Sequence, residues 1–248
     1  MCTLSWLPEP GGYRLWFNRD ERRTRTAALS PQRRTHGSLP FVAPLDPEFG
    51  GSWIGSNARG ATFCLANRYH GAPTMPPANR ISRGLLLASL LDAPTCLEVA
   101  ARVERAELKR FEPFTVAGFE IGSTVLLLQW NGRRLDAAQH PGPGLVLTTS
   151  GHDQAEVEAA RRRLFDDAVT RAGGWTPALL RELHGSHLPI RGPASICMHR
   201  DEAETVSLSE VAVQASRVAF TYWPGSPCQD LEPVQMTLDR VEAVSETP

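Results

Sequence analysis

The sequence lacks the patterns that define several large classes of protein. No apolar run approaches the roughly 20 residues of a membrane-spanning helix, and no basic segment followed by an apolar one marks a signal peptide. Neither GxGxxG nor GxxxxGK(S/T) occurs, so nothing indicates a nucleotide-binding loop. The five cysteines are scattered, odd in number and without a CxxC pair. We therefore expect a protein of the cytoplasm, a reducing compartment, without a disulfide framework.

An excess of charge of either sign is also absent. The chain has 248 residues, 26 of them basic and 27 acidic, a formal net charge of −1 and a single lysine, Lys109. A nearly neutral chain has no net positive electrostatic field to attract nucleic acid or an anionic membrane, so neither is expected as a partner. We expect one domain over residues 1–248, with any disorder confined to roughly the last eight residues. The oligomeric state stays open.

Turn residues divide the chain into strands and helices. Residues 3–7 and 13–17 read as strands on either side of the turn sequence PEPGG. Groups of strands and of helices then alternate, and the closing strands include residues 194–199. The polar segments 22–39 and 68–80 lack periodicity and are interpreted as loops. This order favours an α+β fold with antiparallel sheets and segregated helices over a doubly wound βαβ sheet.

The first hairpin places two unusual stretches, MCTLSW and FNRDER, side by side. If the turn lies midway between the strands, opposed residue numbers sum to about 21 or 22, which puts Cys2 opposite Arg19 or Asp20. Side chains alternate along a strand, so Asn18 and Asp20 share one face and Arg19 takes the other. The sequence thus predicts a thiol and a carboxylate within reach of each other.

Cys2 becomes the first residue if Met1 is removed, and it then carries a thiol and a free α-amine. An α-amine ordinarily has a pKa of about 7.7–8.0, suitable for a general base, and a thiol beside its own base is an activated nucleophile. The carboxylate of Asp20 can hold the ammonium or orient the amine. The alternative is that Cys2 is a small buried apolar residue and Asp20 a solvated strand end. Spacing alone leaves both interpretations open.

Four segments resemble the NRDE family, which is named for Asn-Arg-Asp-Glu and includes the transport-and-Golgi-organisation proteins. They are MCTLSW, YRLWFNRDER, GGSWIGSNARG and FCLANR. The family is similar to N-terminal-nucleophile hydrolases of the choloylglycine hydrolase, penicillin V acylase and acyl-CoA:6-aminopenicillanate acyltransferase type. The resemblance is strongest over residues 2–90, and ETVSLSEVAV through RVAFTYWPGSPC resembles the closing strands of the acyltransferase branch. It implies a four-layer αββα sandwich and an amidohydrolase or acyltransferase with a terminal cysteine.

The resemblance also implies roles for individual residues. Cys2 matches the nucleophile, Asp20 the aspartate that steadies the terminal amine, and Asn67 an asparagine of the oxyanion site. The neighbours Asn18 and Arg19 are included in the expected catalytic set. The substrate would be a small amide or acyl compound that forms a thioester with the cysteine, which water or an amine then resolves.

Two positions depart from the acylase pattern, and a third matches it. Phe17 stands where the acylases have an arginine three residues before the aspartate, and the nearest arginine, Arg19, lies on the other strand face from Asp20. Ser150 takes the place of the second oxyanion asparagine, and its hydroxyl can donate one bond with a different reach. Arg161 matches a basic residue of the following helix and is expected to bind substrate.

Two short spacings in the C-terminal third, His184-x-x-His187 and Cys197-x-His199, together offer four ligands of the kinds that structural zinc sites use. Ordinary polar and core roles are the more common interpretation, so no metal and no cofactor are expected. Cys96 and Cys228 are interpreted as incidental. Membership of the transport-and-Golgi-organisation group leaves a second function open, a non-catalytic carrier of haem or of an acyl lipid. Only in that case would the four residues be candidates for haem binding.

Overall fold

A computed structural model of the chain describes residues 2–37, 39–69 and 79–241. The strands are β1 (Cys2–Glu9), β2 (Gly12–Arg22), β3 (Leu29–His36), β4 (Leu39–Leu45), β5 (Ile54–Asn57), β6 (Thr62–Asn67), β7 (Phe114–Phe119), β8 (Val125–Trp130), β9 (Leu135–His140), β10 (Gly144–Thr149), β11 (Ala203–Val213), β12 (Arg217–Trp223) and β13 (Val234–Asp239). The helices are α1 (Arg83–Leu90), α2 (Cys96–Arg105), α3 (Gln154–Ala172) and α4 (Pro177–Gly185). Most of the expected 68–80 loop and nearly all of the C-terminal segment expected to be disordered lie outside the described residues.

The described strands form two antiparallel sheets. One has six strands in the order β10-β1-β2-β11-β12-β13, and the other has seven in the order β3-β4-β5-β6-β7-β8-β9. Helices α1 and α2 pack on the outer face of the seven-stranded sheet, and α3 and α4 pack on the outer face of the six-stranded sheet. This four-layer αββα arrangement confirms the predicted fold class.

The main core lies between the two sheets, and the alternation along β1 explains why. Leu4 and Trp6 point to the seven-stranded sheet and are buried there. Thr3 and Ser5 point the other way, toward α3 and α4, where each has a buried polar partner. Full burial of an apolar side chain such as Leu4 contributes about 1.5–3 kcal/mol. The two faces of β1 therefore fix its orientation, since a shift by one residue would exchange them.

The predicted register of the first hairpin is confirmed, with opposed residue numbers that sum to 21 rather than 22. Cys2 pairs with Arg19 and Leu4 with Phe17, across a turn in which Gly11 has φ 70°. A residue with a positive φ is most easily a glycine, which is why this sequence turns here. Directly opposed residues in an antiparallel pair point to the same side, so Cys2 and Arg19 share the inter-sheet face.

The loop predicted over residues 22–39 is wrong in its second half. Residues Leu29–His36 form β3, which pairs with β4 and contributes, for example, the pair of Arg33 with Val42. β3 is an edge strand with mostly exposed or half-buried side chains. Polar and charged residues are common on such edges because they discourage pairing with another chain, so this strand carries no hydrophobic alternation for sequence analysis to detect.

The strand predicted at residues 194–199 is also wrong. Within it, only His199 makes a single isolated bridge. The carbonyl groups of this segment accept instead from buried side chains: Arg161 donates to Ser195 at 2.7 Å, and Asn18 donates to Ile196 at 3.1 Å. Because the backbone is satisfied by side chains of α3 and β2, it needs no neighbouring strand.

Candidate active site

A cavity of about 250 Å³ lies between the sheets at the Cys2 end of β1. Both sheets and the first turn of α1 contribute to its walls, which include Cys2, Arg19, Asp20, Trp53, Asn67 and Arg83. Several of the residues predicted from the sequence therefore meet at one place. The rest of the predicted set lies elsewhere.

The thiol of Cys2 is on the cavity wall and is only 7% exposed. It lies between two neighbours that point the same way, Arg19 on β2 and Thr149 on β10. Burial raises the pKa of the thiol to about 11, although a hydrogen bond from the backbone of Asp20 and the charge of Arg19 act in the opposite direction. At neutral pH the thiol is therefore protonated, and nucleophilic chemistry at this position requires a base.

Arg19 supplies the positive charge of this wall. Its guanidinium lies 4.1 Å from the centre of the Trp53 ring, and its Nη2 is 3.5 Å from a carboxylate oxygen of Glu21 and 3.6 Å from one of Asp46. Phe17, two residues earlier on the same face, is fully buried in the inter-sheet core. A guanidinium thus reaches the cavity from position 19, and Arg19 points toward the thiol although it lies on the opposite face from Asp20.

Asp20 borders the cavity, but its carboxylate turns toward the helix side of the sheet. Oδ1 accepts a hydrogen bond of 2.6 Å from the Thr205 hydroxyl, and Oδ2 lies 3.8 Å from the Arg161 guanidinium. Burial raises the pKa of this carboxyl, and Arg161 and the Thr205 hydroxyl oppose the rise. The partners of Asp20 hold it in one position directly behind the thiol strand.

Asn18 lies on the same helix-facing side as Asp20 and is fully buried. Its Nδ2 donates to the carbonyls of His184 (2.9 Å) and Ile196 (3.1 Å), and its Oδ1 is 2.9 Å from Nδ1 of His184. The other imidazole nitrogen is 2.8 Å from the Ser5 hydroxyl. The amide of Asn18 ties β2 to the end of α4 and does not line the cavity, so its catalytic role stays a prediction.

Arg161 also differs from its expected role. The side chain is 1% exposed and does not line the cavity, so it is not placed to bind a substrate there. Its Nη1 donates to the hydroxyls of Thr3 and Thr148, both at 2.8 Å, and its Nη2 donates to the Ser195 carbonyl. Arg161 therefore joins α3 to β1, to β10 and to the segment before β11, and it places its charge beside Asp20.

The two predicted oxyanion residues have different positions. Asn67, at the end of β6, lines the cavity, and its Nδ2 is 3.4 Å from the Tyr69 hydroxyl. Ser150 does not line it: its hydroxyl donates to the carbonyl of His152 and accepts from the N–H of that residue at 3.1 Å. These two hydrogen bonds stabilise the turn that follows β10, and the oxyanion role of Ser150 stays a prediction.

Thr149 is a residue that sequence analysis missed. It pairs with Cys2 across β1 and β10 and points to the same face. Its hydroxyl is buried and has no hydrogen-bond partner among the described residues. No signal in the sequence brings the two together, because β10 follows β1 far along the chain and pairs with it only through the tertiary fold.

Comparison with a family model fits this geometry. The model described as Transport and Golgi organisation 2 matches residues 1–172, more than half of the chain. The chain belongs to this family. No curated protein sequence matches the chain at a significant level. Within the described residues, no helix combines the length and the apolar character needed to cross a bilayer.

Several solved structures that resemble this family member are N-terminal-nucleophile hydrolases. A mutant of conjugated bile acid hydrolase from Clostridium perfringens has a TM-score of 0.58 at 11% identity, over 96% of this chain and 92% of that one. Penicillin V acylase from Agrobacterium tumefaciens has 0.57 at 10%, over 96% and 86%. An N-acylethanolamine-hydrolyzing acid amidase orthologue from Caenorhabditis elegans has 0.57 at 12%, over 85% and 92%. At these identities the likeness shows the fold alone.

Proposed function

We propose that this protein hydrolyses an amide bond, or transfers its acyl group, with Cys2 as the nucleophile once Met1 is removed. The observation that carries the proposal is the meeting of Cys2, Arg19 and Asn67 on the wall of one cavity, in a fold shared with amide-cleaving enzymes. A thiol, a cation and an amide donor around one small space are the groups that acyl transfer requires.

The raised pKa of the thiol makes a base essential to this proposal. Removal of Met1 would place the α-amine on Cys2 itself, and such an amine ordinarily has a pKa of about 7.7–8.0. Neutral amine then takes the thiol proton, and the sulfur attacks the carbonyl carbon of the substrate. We assign to Asp20, which Thr205 and Arg161 hold in place, the role of steadying the resulting ammonium.

The bonds in the reaction balance without a further reactant. As the C–S bond forms, the carbonyl becomes an oxyanion; its collapse breaks the C–N bond, and the ammonium returns its proton to the leaving amine. The thioester that remains on Cys2 is then attacked by water, or by an acceptor amine, with the same α-amine as base. Hydrolysis releases a carboxylic acid, and transfer releases a new amide.

The oxyanion needs hydrogen-bond donors near the thiol. Asn67 provides an amide on the cavity wall. Thr149 lines the neighbouring cavity and not this one, but it pairs with Cys2 across the strands, and its buried hydroxyl is the second donor that we assign in place of Ser150. Arg19 adds a positive charge to the same wall. Loss of one such donor typically costs about 10²–10³ in rate.

The first experiment asks whether Cys2 forms an acyl-enzyme. The purified protein is examined by intact mass spectrometry for loss of Met1, and then after exposure to a conjugated bile acid, penicillin V and an N-acylethanolamine, the classes named by its structural neighbours. We expect a mass increase equal to the acyl group and its loss in Cys2→Ala. Cys64→Ala, a change at a buried thiol outside the cavity wall, is the matched control and should still be acylated.

Two results would contradict the proposal. One is a retained Met1 in protein isolated from its natural host, and the other is acylation that persists in Cys2→Ala. Ligand binding that survives Cys2→Ala, without turnover of any amide, would instead support the non-catalytic carrier.

A second experiment tests the oxyanion assignment by comparing neighbouring residues. Thr149→Val keeps the shape of the side chain and removes the hydroxyl, so we expect acylation to slow by about 10²–10³ with little change in stability. Ser150→Ala should leave the rate nearly unchanged, because that hydroxyl is bound within its own turn. The reverse pattern, measured as the rate of acyl-enzyme formation, would restore Ser150 to the site.

A further inference from the structure

A second group of reactive side chains lies on the helix side of the six-stranded sheet, away from the Cys2 cavity. Three separate segments form it: His187 just after α4, Cys197 and His199 in the irregular segment before β11, and Cys228 in the β12–β13 connection. One ligand atom from each residue lies within 4.8 Å of all the others. His184, which sequence analysis considered with them, is not part of the group, because it is bound to Asn18 and Ser5.

The distances within the group are close to those of a tetrahedral metal site. His199 Nε2 is 3.5 Å from Cys197 Sγ and 3.5 Å from Cys228 Sγ. Bond lengths of about 2.3 Å for Zn–S and 2.0–2.1 Å for Zn–N give tetrahedral edges of about 3.3–3.8 Å. Two of the six edges therefore already have the required length. The remaining four are no longer than 4.8 Å, so they need shifts of at most about 1.5 Å, within the reach of side-chain rotation.

One atom of the group has an unexplained environment. Nε2 of His187 is buried and has no hydrogen-bond partner among the described residues. Buried polar atoms in native proteins are nearly always paired, so such an atom points to an ion or a water molecule as its partner. The ring of His187 lies 5.2 Å from the ring of His199 at an angle of 67°. A metal ion between the imidazoles and the thiols would give this nitrogen a partner.

A carboxylate and a guanidinium both lie near Nδ1 of His199, the ring nitrogen that does not contact the thiols. Its Nδ1 is 3.6 Å from a carboxylate oxygen of Glu204 and 3.3 Å from Nη2 of Arg191. Coordination through Nε2 puts the ring proton on Nδ1, where Glu204 can accept it and Arg191 no longer donates. Histidine ligands commonly have a carboxylate in this position, which fixes the tautomer and orients the ring.

We propose that His187, Cys197, His199 and Cys228 bind one Zn²⁺ ion in a closed, structural site. Two thiolates and two imidazoles form a set that zinc favours in proteins, and with all four positions filled no place remains for a substrate. Binding releases the two thiol protons, so the two negative sulfurs balance the charge of the ion.

The zinc site would also help to position Asp20, which borders the Cys2 cavity. Met198, between two of the ligands, donates its backbone N–H to the Thr205 hydroxyl at 2.8 Å, and that hydroxyl donates to Asp20 at 2.6 Å. An ion that fixes Cys197 and His199 therefore fixes the segment on which the Asp20 carboxylate rests. The metal would position this carboxylate without touching the cavity.

The test uses the full chain purified without chelators. We expect about one zinc per chain by elemental mass spectrometry, and after exchange with Co²⁺ the intense visible bands and thiolate-to-cobalt charge-transfer band of a tetrahedral site. Cys228→Ser changes an exposed ligand and should weaken zinc binding by more than roughly 100-fold, because loss of an outer-shell partner alone costs about 10–100-fold. Glu204→Gln should keep the stoichiometry and weaken binding within that smaller range.

The matched control is Cys96→Ser, which removes a cysteine thiol outside the group. It should keep both the zinc content and the cobalt spectrum. A cobalt spectrum without a charge-transfer band, or zinc binding unchanged in Cys228→Ser, would overturn the proposal. So would a Cys197–Cys228 disulfide that forms in protein saturated with zinc, since both thiols would then be free to oxidise.

Discussion

The two faces of strand β2 carry alternate residues of one short motif in two different environments. On the helix side, Asn18 and Asp20 are bound by fixed partners from α3, α4 and β11. On the inter-sheet side, Arg19 lines a cavity, and its carboxylate neighbours are 3.5–3.6 Å away. Alternate residues of this polar motif therefore have different roles. Those on the helix side hold β2 in place, and the one on the inter-sheet side presents a positive charge to the cavity.

Among these variants, Arg161→Met should lower the stability of the protein most, because it removes the contacts that hold β2 on its helix side. This variant removes the cation beside the buried carboxylate of Asp20 and leaves five carbonyl or hydroxyl groups without this donor. Breaking such a buried pair costs about 3–5 kcal/mol, so we expect the free energy of unfolding in urea to fall by that amount. Arg162→Met, next in the chain and paired with Glu158 on the surface, is the control and should change it by about 0.5 kcal/mol or less. Equal losses in the two variants would show that Arg161 is not the link inferred here.

The second prediction concerns the pH dependence of stability, which should depend on His184, the partner of Asn18 on the helix side of β2. Burial lowers the pKa of His184 from 6.5 to about 3. Between these values the unfolded chain binds a proton at His184 and the folded chain does not, so stability should fall as pH decreases, by up to about 1.4 kcal/mol per pH unit. Asp20, whose pKa is raised, contributes with the opposite sign, so the comparison is made between the wild type and His184→Gln. That variant should lose the slope, and the exposed His152→Gln should retain it; a slope equal in all three would place the proton elsewhere.

The smallest effect on stability is expected on the cavity side. Arg19→Met removes a cation–π contact with Trp53, while Asp46 keeps its ion pair with Arg25, so we expect a change within about 1 kcal/mol. The charge of Arg19 lowers the pKa of the Cys2 thiol, and its loss should slow alkylation of Cys2 by iodoacetamide at neutral pH. Peptide mass spectrometry measures that rate. If Arg19→Met lost as much stability as Arg161→Met, the two faces of β2 would not differ in their contribution to stability.

Much of the first hairpin could be predicted because its information is local. The turn at PEPGG and the period of two along a strand are sufficient to place Cys2 opposite Arg19 and to separate Arg19 from Asp20 by face. The αββα sandwich followed from the resemblance of the N-terminal segments. The edge strand β3 was missed because an exposed edge needs no apolar alternation, and this segment has none.

The candidate site could be predicted only in part, because most of it depends on distant pairings. Ser150 and Thr149 are neighbours in the chain, yet strand pairing with β1 turns Thr149 toward the thiol and leaves Ser150 in its own turn. The resemblance predicted that Arg161 binds substrate. It is buried because hydroxyls of two strands and the carbonyls of an irregular segment surround its guanidinium.

The amino-acid sequence by itself determines the geometry of the first hairpin. It sets the turn, the register of the two strands, and the face on which each side chain of MCTLSW and FNRDER lies. The packing of α3, α4 and the α4–β11 and β12–β13 connections decides the rest, including the contacts that hold Asp20 and the meeting of two histidines with two cysteines. The reason is physical. Pairing across a tight turn depends on neighbours in sequence, whereas the contacts of a buried ion pair or a four-ligand cluster form only after the chain has closed long loops around one core.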